Sequence, residues 1–381
     1  MIKGIHYVTG EAISVTVEDE MITNIELNQR SESPFYIAPG LVDLQINGYK
    51  GYDFNTLPIR EGLVEQMTKA LWTEGVTTYY PTIITNSDEA IEKAVEAIAL
   101  ACEKDEMTDT CIAGIHIEGP FISPEDGPRG AHGKDFVKAP DWELFQRWQD
   151  AAGGRIRILT LSPEWPNAVE FIEKCVESGV IVAIGHTAAT SEQIKEAVAA
   201  GAVMSTHLGN GAHLMLPRHP NYMWEQLAQD DLWTCLIADG FHLPESFLKV
   251  AMKVKGPRAM LVSDAVYLSG LEPGQYETHI GGQVVLTPEG KLHTKDNPNI
   301  LAGSAQMLKE GIAHLYKSGI TTLHEAWEMA SIRPASFMGL PTKQGLSKNA
   351  PADLVVFRWR ENQVEVVQTY KAGRPVYSAD V

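Results

Sequence analysis

Eight short β-type segments alternate with helical stretches through the middle of this chain, and that repeat leaves few architectures open. The segments fall at 41–48, 77–84, 111–119, 155–162, 180–187, 202–209, 234–240 and 258–265. Helical patterns at about 60–74, 87–104, 166–178, 190–200 and 245–255 separate several of them. Such strand–helix alternation points to a TIM-like (β/α)8 barrel rather than an open sheet. The two ends read differently. Period-two alternation at 12–17 and 21–27 returns at 353–357 and 364–367. We therefore expect a small β-sandwich domain built from 1–38 and 345–381 around a catalytic barrel of 39–344. Two stretches break the repeat: a Gly- and Pro-rich loop at 120–140, and a β excursion at 270–300 containing Gly281-Gly282 and Val284-Val285-Leu286. Both are candidate walls or lids of a site.

Barrels of this kind carry their chemistry at the C-terminal ends of the strands. Three of those endings supply metal-competent side chains: Glu118 in His116-Ile117-Glu118-Gly119-Pro120, His186 in Gly185-His186-Thr187, and His207 in Thr206-His207-Leu208. Each residue alone has an ordinary reading, a loop-capping acid or a hydrogen-bonded core histidine. Together, at the third, fifth and sixth endings, they form a set with an open coordination position, which a catalytic zinc needs. The eighth ending adds a free carboxylate, Asp264, placed to take a proton from water and return it to a leaving amine. The first ending carries amides, Gln45 and Asn47, where imidazoles would be expected for a second metal. No lysine stands at the fourth ending, Leu161-Ser162-Pro163. These features predict one tightly bound metal and a hydrolase.

Composition narrows the setting. The 381 residues carry a formal net charge of −18, which disfavours nucleic acid and anionic membrane as partners. The four cysteines lack C-x-x-C spacing and read as free thiols in a reducing cytoplasm. No signal-peptide pattern opens the chain, and no apolar run reaches the roughly 20 residues that span a bilayer.

These motifs resemble the amidohydrolase superfamily, and within it the N-acetylglucosamine-6-phosphate deacetylase family. The resemblance covers nearly the whole chain. It rests on Pro39-Gly40-Leu41-Val42-Asp43, the His-x-Glu-Gly-Pro at 116–120, Asp239-Gly240-Phe241-His242, Ser263-Asp264-Ala265 and Leu301-Ala302-Gly303-Ser304. It implies deacetylation of N-acetylglucosamine 6-phosphate to glucosamine 6-phosphate and acetate, in amino-sugar catabolism. Glu118, His186 and His207 would hold one divalent ion, zinc or iron(II). Asp264 would act as base and acid, and His132 would help polarise the acetyl carbonyl. Asn210, Gly211 and His242 would hold the sugar phosphate, and Leu301, Ala302 and Gly303 would line the pocket floor. Arg218 would reach the phosphate of a partner subunit in a homodimer, where a guanidinium suits phosphate geometry.

The chain departs from the family after strand six. Gly209 stands where a bulky residue is usual before Asn210, and the remainder of the 209–224 loop is unlike its counterparts. His213 and His219 there read as polar loop residues. Two alternatives follow: an amidohydrolase acting on a different N-acyl amino sugar or other small amide, and, from another class, a non-catalytic sugar-phosphate-binding protein.

Overall fold

A computed structural model describes residues 1–28, 34–278 and 282–379; Gly281 and the terminal residues 380 and 381 lie outside the described residues. Eight parallel strands form the central sheet: β1 (Leu41–Ile46), β2 (Val76–Ile84), β3 (Ile115–Glu118), β4 (Ile156–Leu161), β5 (Ile181–Ile184), β6 (Met204–Ser205), β7 (Trp233–Leu236) and β8 (Ala259–Leu261). They are hydrogen-bonded in sequence order. The seam between β8 and β1 closes through the Asp264 N–H to the Gln45 carbonyl and the Asn47 N–H to the Ala265 carbonyl, each 2.9 Å.

Both faces of these strands are apolar, so their sequences run hydrophobic rather than alternating. Val42, Leu44, Tyr80, Ile158, Met204, Cys235 and Met260 fill the barrel interior. Intervening residues such as Leu41, Leu159, Leu236 and Leu261 pack outward against the helical layer. The helix Asp88–Lys104 begins where the Ser87 hydroxyl accepts from the Ala90 N–H. Thr190 and Gln193 form a capping box at Ser191–Ala199, satisfying donors that a helix start leaves free.

Apart from β2, which ends at Ile84 as expected, the strands end earlier than the sequence pattern predicted, most plainly β6, which has two residues. The reason is local. His186, His207 and Asp264 adopt positive φ of 48°, 26° and 47°, which no strand can contain. Among the helices that were not foreseen are Trp142–Ala151 and Tyr222–Ala228. The second falls partly inside the unusual 209–224 loop, capped by Asn221.

The 270–300 excursion is a four-stranded antiparallel sheet of Gly274–Thr278, Gly282–Leu286, Leu292–Thr294 and Asn297–Leu301. Both ends of the chain meet in one seven-stranded sheet. Tyr36–Pro39 lies at its centre between Leu354–Arg360 and Ile2–His6. Lys371 on this sheet donates to Asp353 Oδ2 at 2.7 Å and to Thr78 of β2 at 3.4 Å, fastening sheet to barrel. All four cysteines are buried and free. Among the described residues no helix is long and apolar enough to cross a membrane.

Candidate metal centre and active-site cavity

Glu118, the last residue of β3, and His186 and His207, just beyond β5 and β6, point at one spot. Glu118 Oε1 lies 2.9 Å from His207 Nε2 and 3.3 Å from His186 Nε2. The two Nε2 atoms are 3.1 Å apart. Left-handed backbone at both histidines costs about 1–3 kcal/mol each, and it turns each ring off its strand into the barrel mouth. The Pro128 carbonyl accepts a hydrogen bond from His186 Nδ1 at 2.8 Å, so Nε2 is the ring nitrogen that faces Glu118 and His207. Gly211 packs against that ring: a Cβ on Gly211 would sit 2.6 Å from His186 Nδ1. Burial opposes protonation of His207, but the Glu118 carboxylate outweighs it and pushes the imidazole up to about 9. Burial likewise opposes ionisation of Glu118, yet His186 and His207 hold the carboxyl well below its ordinary range.

This donor set fits a divalent ion. Two imidazole nitrogens and a carboxylate oxygen, all buried, lie within 4.8 Å of one another. That is a borderline N/O site of the kind zinc and its neighbours accept.

Gln45 and Asn47 turn out to serve carboxylates. Gln45 Nε2 donates to Glu118 Oε1 at 2.8 Å, and Asn47 Nδ2 donates to Asp264 Oδ1 at 2.8 Å. Burial pushes Asp264 up to about 6, so it can both take and give a proton near neutrality. His132 comes from the 120–140 loop and is buried, its Nδ1 2.7 Å from Thr85 Oγ1 and its ring centroid 4.4 Å from that of His186. Burial, reinforced by His186, lowers it to about 3, so the ring is neutral at physiological pH. His116, in the same motif as Glu118, is a satisfied core histidine: its ring nitrogens meet the Leu44 carbonyl and Thr160 Oγ1.

These groups share a cavity of about 620 Å³. Asn210, Gly211, His242, Leu301, Ala302 and Gly303 line it. Asp239 Oδ2, 2.6 Å from His242 Nδ1, fixes that ring. Asp53, Asn55, Ile84, Val266, Tyr267 and Ile300 line it too and were not anticipated. Their residue types are ordinary for turns and strands, and only the barrel mouth gathers them. The β excursion contributes Leu292, Thr294 and Ile300 to the wall. Arg218 is exposed and does not line the cavity of its own chain. His213 is engaged in the loop, with Nε2 3.0 Å from Glu125 Oε2 and Nδ1 3.1 Å from the Tyr222 hydroxyl. Gly209 has φ 103°, and a Cβ there would lie 2.5 Å from Leu243 Cδ2. A bulky residue here would be strained by the positive φ and would have to displace the Leu243 side chain.

Asp43 lies beneath Asp264, fully buried. Its Oδ1 accepts the N–H groups of Gln45 and Ser263, while Oδ2 has no partner among the described residues. Burial raises it to about 7. A carboxyl whose pKa rises on folding contributes stability while protonated, and that contribution is lost as pH climbs from the unfolded value of about 4 toward 7. In Asp43→Asn, which keeps the acceptor oxygen but cannot ionise, melting temperature should change less between pH 5 and pH 8 than in the wild type. Parallel thermal melts at the two pH values check this; equal shifts in both proteins would refute it.

A closed parallel barrel with candidate metal ligands at the ends of strands three, five and six and a carboxylate beyond strand eight has the layout of an amidohydrolase. The profile described as "Amidohydrolase family" matches residues 36–376. The N-acetylglucosamine-6-phosphate deacetylases of Lysinibacillus sphaericus and Homo sapiens are 31% and 32% identical to the chain, over 96% and 90% of it and 93% and 84% of their own lengths. The crystal structure of N-acetylglucosamine-6-phosphate deacetylase from Pasteurella multocida superposes with a TM-score of 0.86 at 25% identity, covering 98% of each chain. The chain belongs to the amidohydrolase family and, within it, to the N-acetylglucosamine-6-phosphate deacetylases.

Proposed function

We propose that this chain hydrolyses the acetamide of N-acetylglucosamine 6-phosphate, releasing acetate and glucosamine 6-phosphate. The observation that carries the reading is Asp264: a buried carboxylate, held by Asn47, facing the cavity that contains Glu118, His186 and His207. Those three residues would hold one divalent ion, zinc before iron(II), which when bound supplies electrophilic activation of the carbonyl and of the attacking water. Asp264 takes a proton from the water as its oxygen adds to the acetyl carbon. The same carboxyl then delivers a proton to the sugar nitrogen as the C–N bond breaks. His132 is neutral, so it stabilises the carbonyl oxygen by donating from Nε2, which requires Nδ1 to accept from the Thr85 hydroxyl. His242 and Asn210 orient the sugar, and the backbone at Leu301, Ala302 and Gly303 supports it from below.

The phosphate raises a specific question. Among the described residues lining the cavity there is no lysine or arginine. In this reading the charge is met by Arg218 from a second copy of the chain, so the working form is a homodimer in the cytoplasm. The same observation favours a second reading, an unphosphorylated N-acyl amino sugar.

Acetate release from N-acetylglucosamine 6-phosphate and from N-acetylglucosamine, run in parallel on metal-loaded protein, separates the two. Fast turnover of the phosphorylated sugar alone is expected, with kcat/KM lowered at least about tenfold by Arg218→Ala, the loss of one charge-assisted bidentate contact. Preference for the unphosphorylated sugar would overturn the first reading in favour of the second.

A further inference from the structure

We propose that Asn55 and Asn47 form a positioning relay that fixes which oxygen of Asp264 exchanges protons; this rests on the reading of Asp264 as the base and acid. The relay starts on the backbone of β2. Asn55 Oδ1 accepts the Ile84 N–H at 2.9 Å, and Asn55 Nδ2 donates to the Thr82 carbonyl at 3.0 Å. Flipping that amide would set donor against donor and acceptor against acceptor, so its orientation is determined. Nδ2 of Asn55 also faces Asn47 Oδ1 at 3.4 Å. That leaves Asn47 one arrangement, with Nδ2 toward Asp264 Oδ1 at 2.8 Å.

The backbone holds the same register. The Asn47 N–H donates to the Ala265 carbonyl and the Asp264 N–H to the Gln45 carbonyl, bracketing the side-chain bond on both sides. Asp53 Oδ1 accepts the Asn55 N–H at 2.9 Å and fixes the turn that presents it. Oδ1 of Asp264 is thus committed as an acceptor. Among the described residues nothing hydrogen-bonds Oδ2, so the mobile proton resides there. An amide suits position 47 for this reason: it donates toward the carboxylate at every pH and accepts from Asn55 behind it. The 3.4 Å link is the looser of the two, so losing Asn55 should matter less than losing Asn47.

The test uses Asn47→Leu, Asn55→Leu and their combination in the metal-loaded enzyme. Asn47→Asp, with the same shape and no donor when ionised, covers the case in which the leucine variant does not fold. Asn47→Leu should lower kcat at least about tenfold, with KM changed less than about threefold and metal content unaltered, because only a step of the reaction is misaligned. Asn55→Leu should cost less, and the double variant no more than Asn47→Leu alone, since both act through one contact. Unchanged kcat, additive losses, or a rise in KM alone would overturn the relay, the last by making Asn47 a direct substrate contact. Placing Asn47→Leu in an Asp264→Asn background separates the two levels. If Asp264→Asn is itself active, the reading of Asp264 fails. If Asp264→Asn is inactive while Asn47→Leu is fully active, only the relay fails.

Discussion

Asp264→Asn should lose at least about three orders of magnitude in kcat while staying folded and loaded with metal. The substitution is nearly isosteric, and its oxygen can still accept the Asn47 amide now at 2.8 Å. What it lacks is a group that takes and returns a proton. One positioned acid–base group contributes about 10²- to 10⁴-fold, and in the proposed mechanism the same carboxyl serves both halves of the reaction. Glu118, His186 and His207 are untouched, so the metal should still load, somewhat more weakly for the loss of a nearby negative charge. Acetate release, metal content and circular dichroism on the same preparation decide the matter. Near-normal turnover in folded, loaded Asp264→Asn would end the mechanism.

The second large effect is on stability, far from the chemistry. In Lys371→Met an aspartate carboxylate is left behind at 4% exposure, where the Lys371 ammonium now pairs with it at 2.7 Å. A hydrophobic replacement fills space but returns no charge and no donor. Breaking one side of a buried pair typically costs about 3–5 kcal/mol, because the survivor cannot recover its hydration. A urea denaturation midpoint should fall accordingly. Asp353→Asn in the same background should restore much of the loss, since it removes the stranded charge while keeping an oxygen for the Ala372 N–H at 2.8 Å. A midpoint within error of the wild type would show that the junction tolerates an unpaired carboxylate and that other contacts hold the terminal sheet to the barrel.

Much of the architecture was legible because its signals are local. Hydrophobic runs bounded by turn residues mark the strands, and amphipathic periods mark the helices between them. The helix at Tyr222–Ala228 escaped because seven residues carry too little periodicity, and its loop is crowded with prolines. The strand ends were overrun because residues such as Gly185-His186-Thr187 look compatible with a strand. Nothing in a residue's type announces that His186, His207 and Asp264 take left-handed backbone. That conformation is imposed by what each side chain must reach.

The site divides along the same line. Residue types and their place at successive strand ends were enough to nominate Glu118, His186, His207 and Asp264. The two amides at the end of β1, Gln45 and Asn47, could be read only as the absence of imidazoles. Their partners, Glu118 and Asp264, lie 73 and 217 positions away and become neighbours when β1 pairs with β2 and meets β8. The acidity of Asp43 is of this kind as well, since it depends on burial beneath Asp264 rather than on sequence context. The sequence by itself determined a βα repeat, the chemistry available at each strand end and the class of reaction those groups can perform. Only barrel closure decided which groups touch, because hydrogen bonding and desolvation act over a few ångströms in space and take no account of separation along the chain.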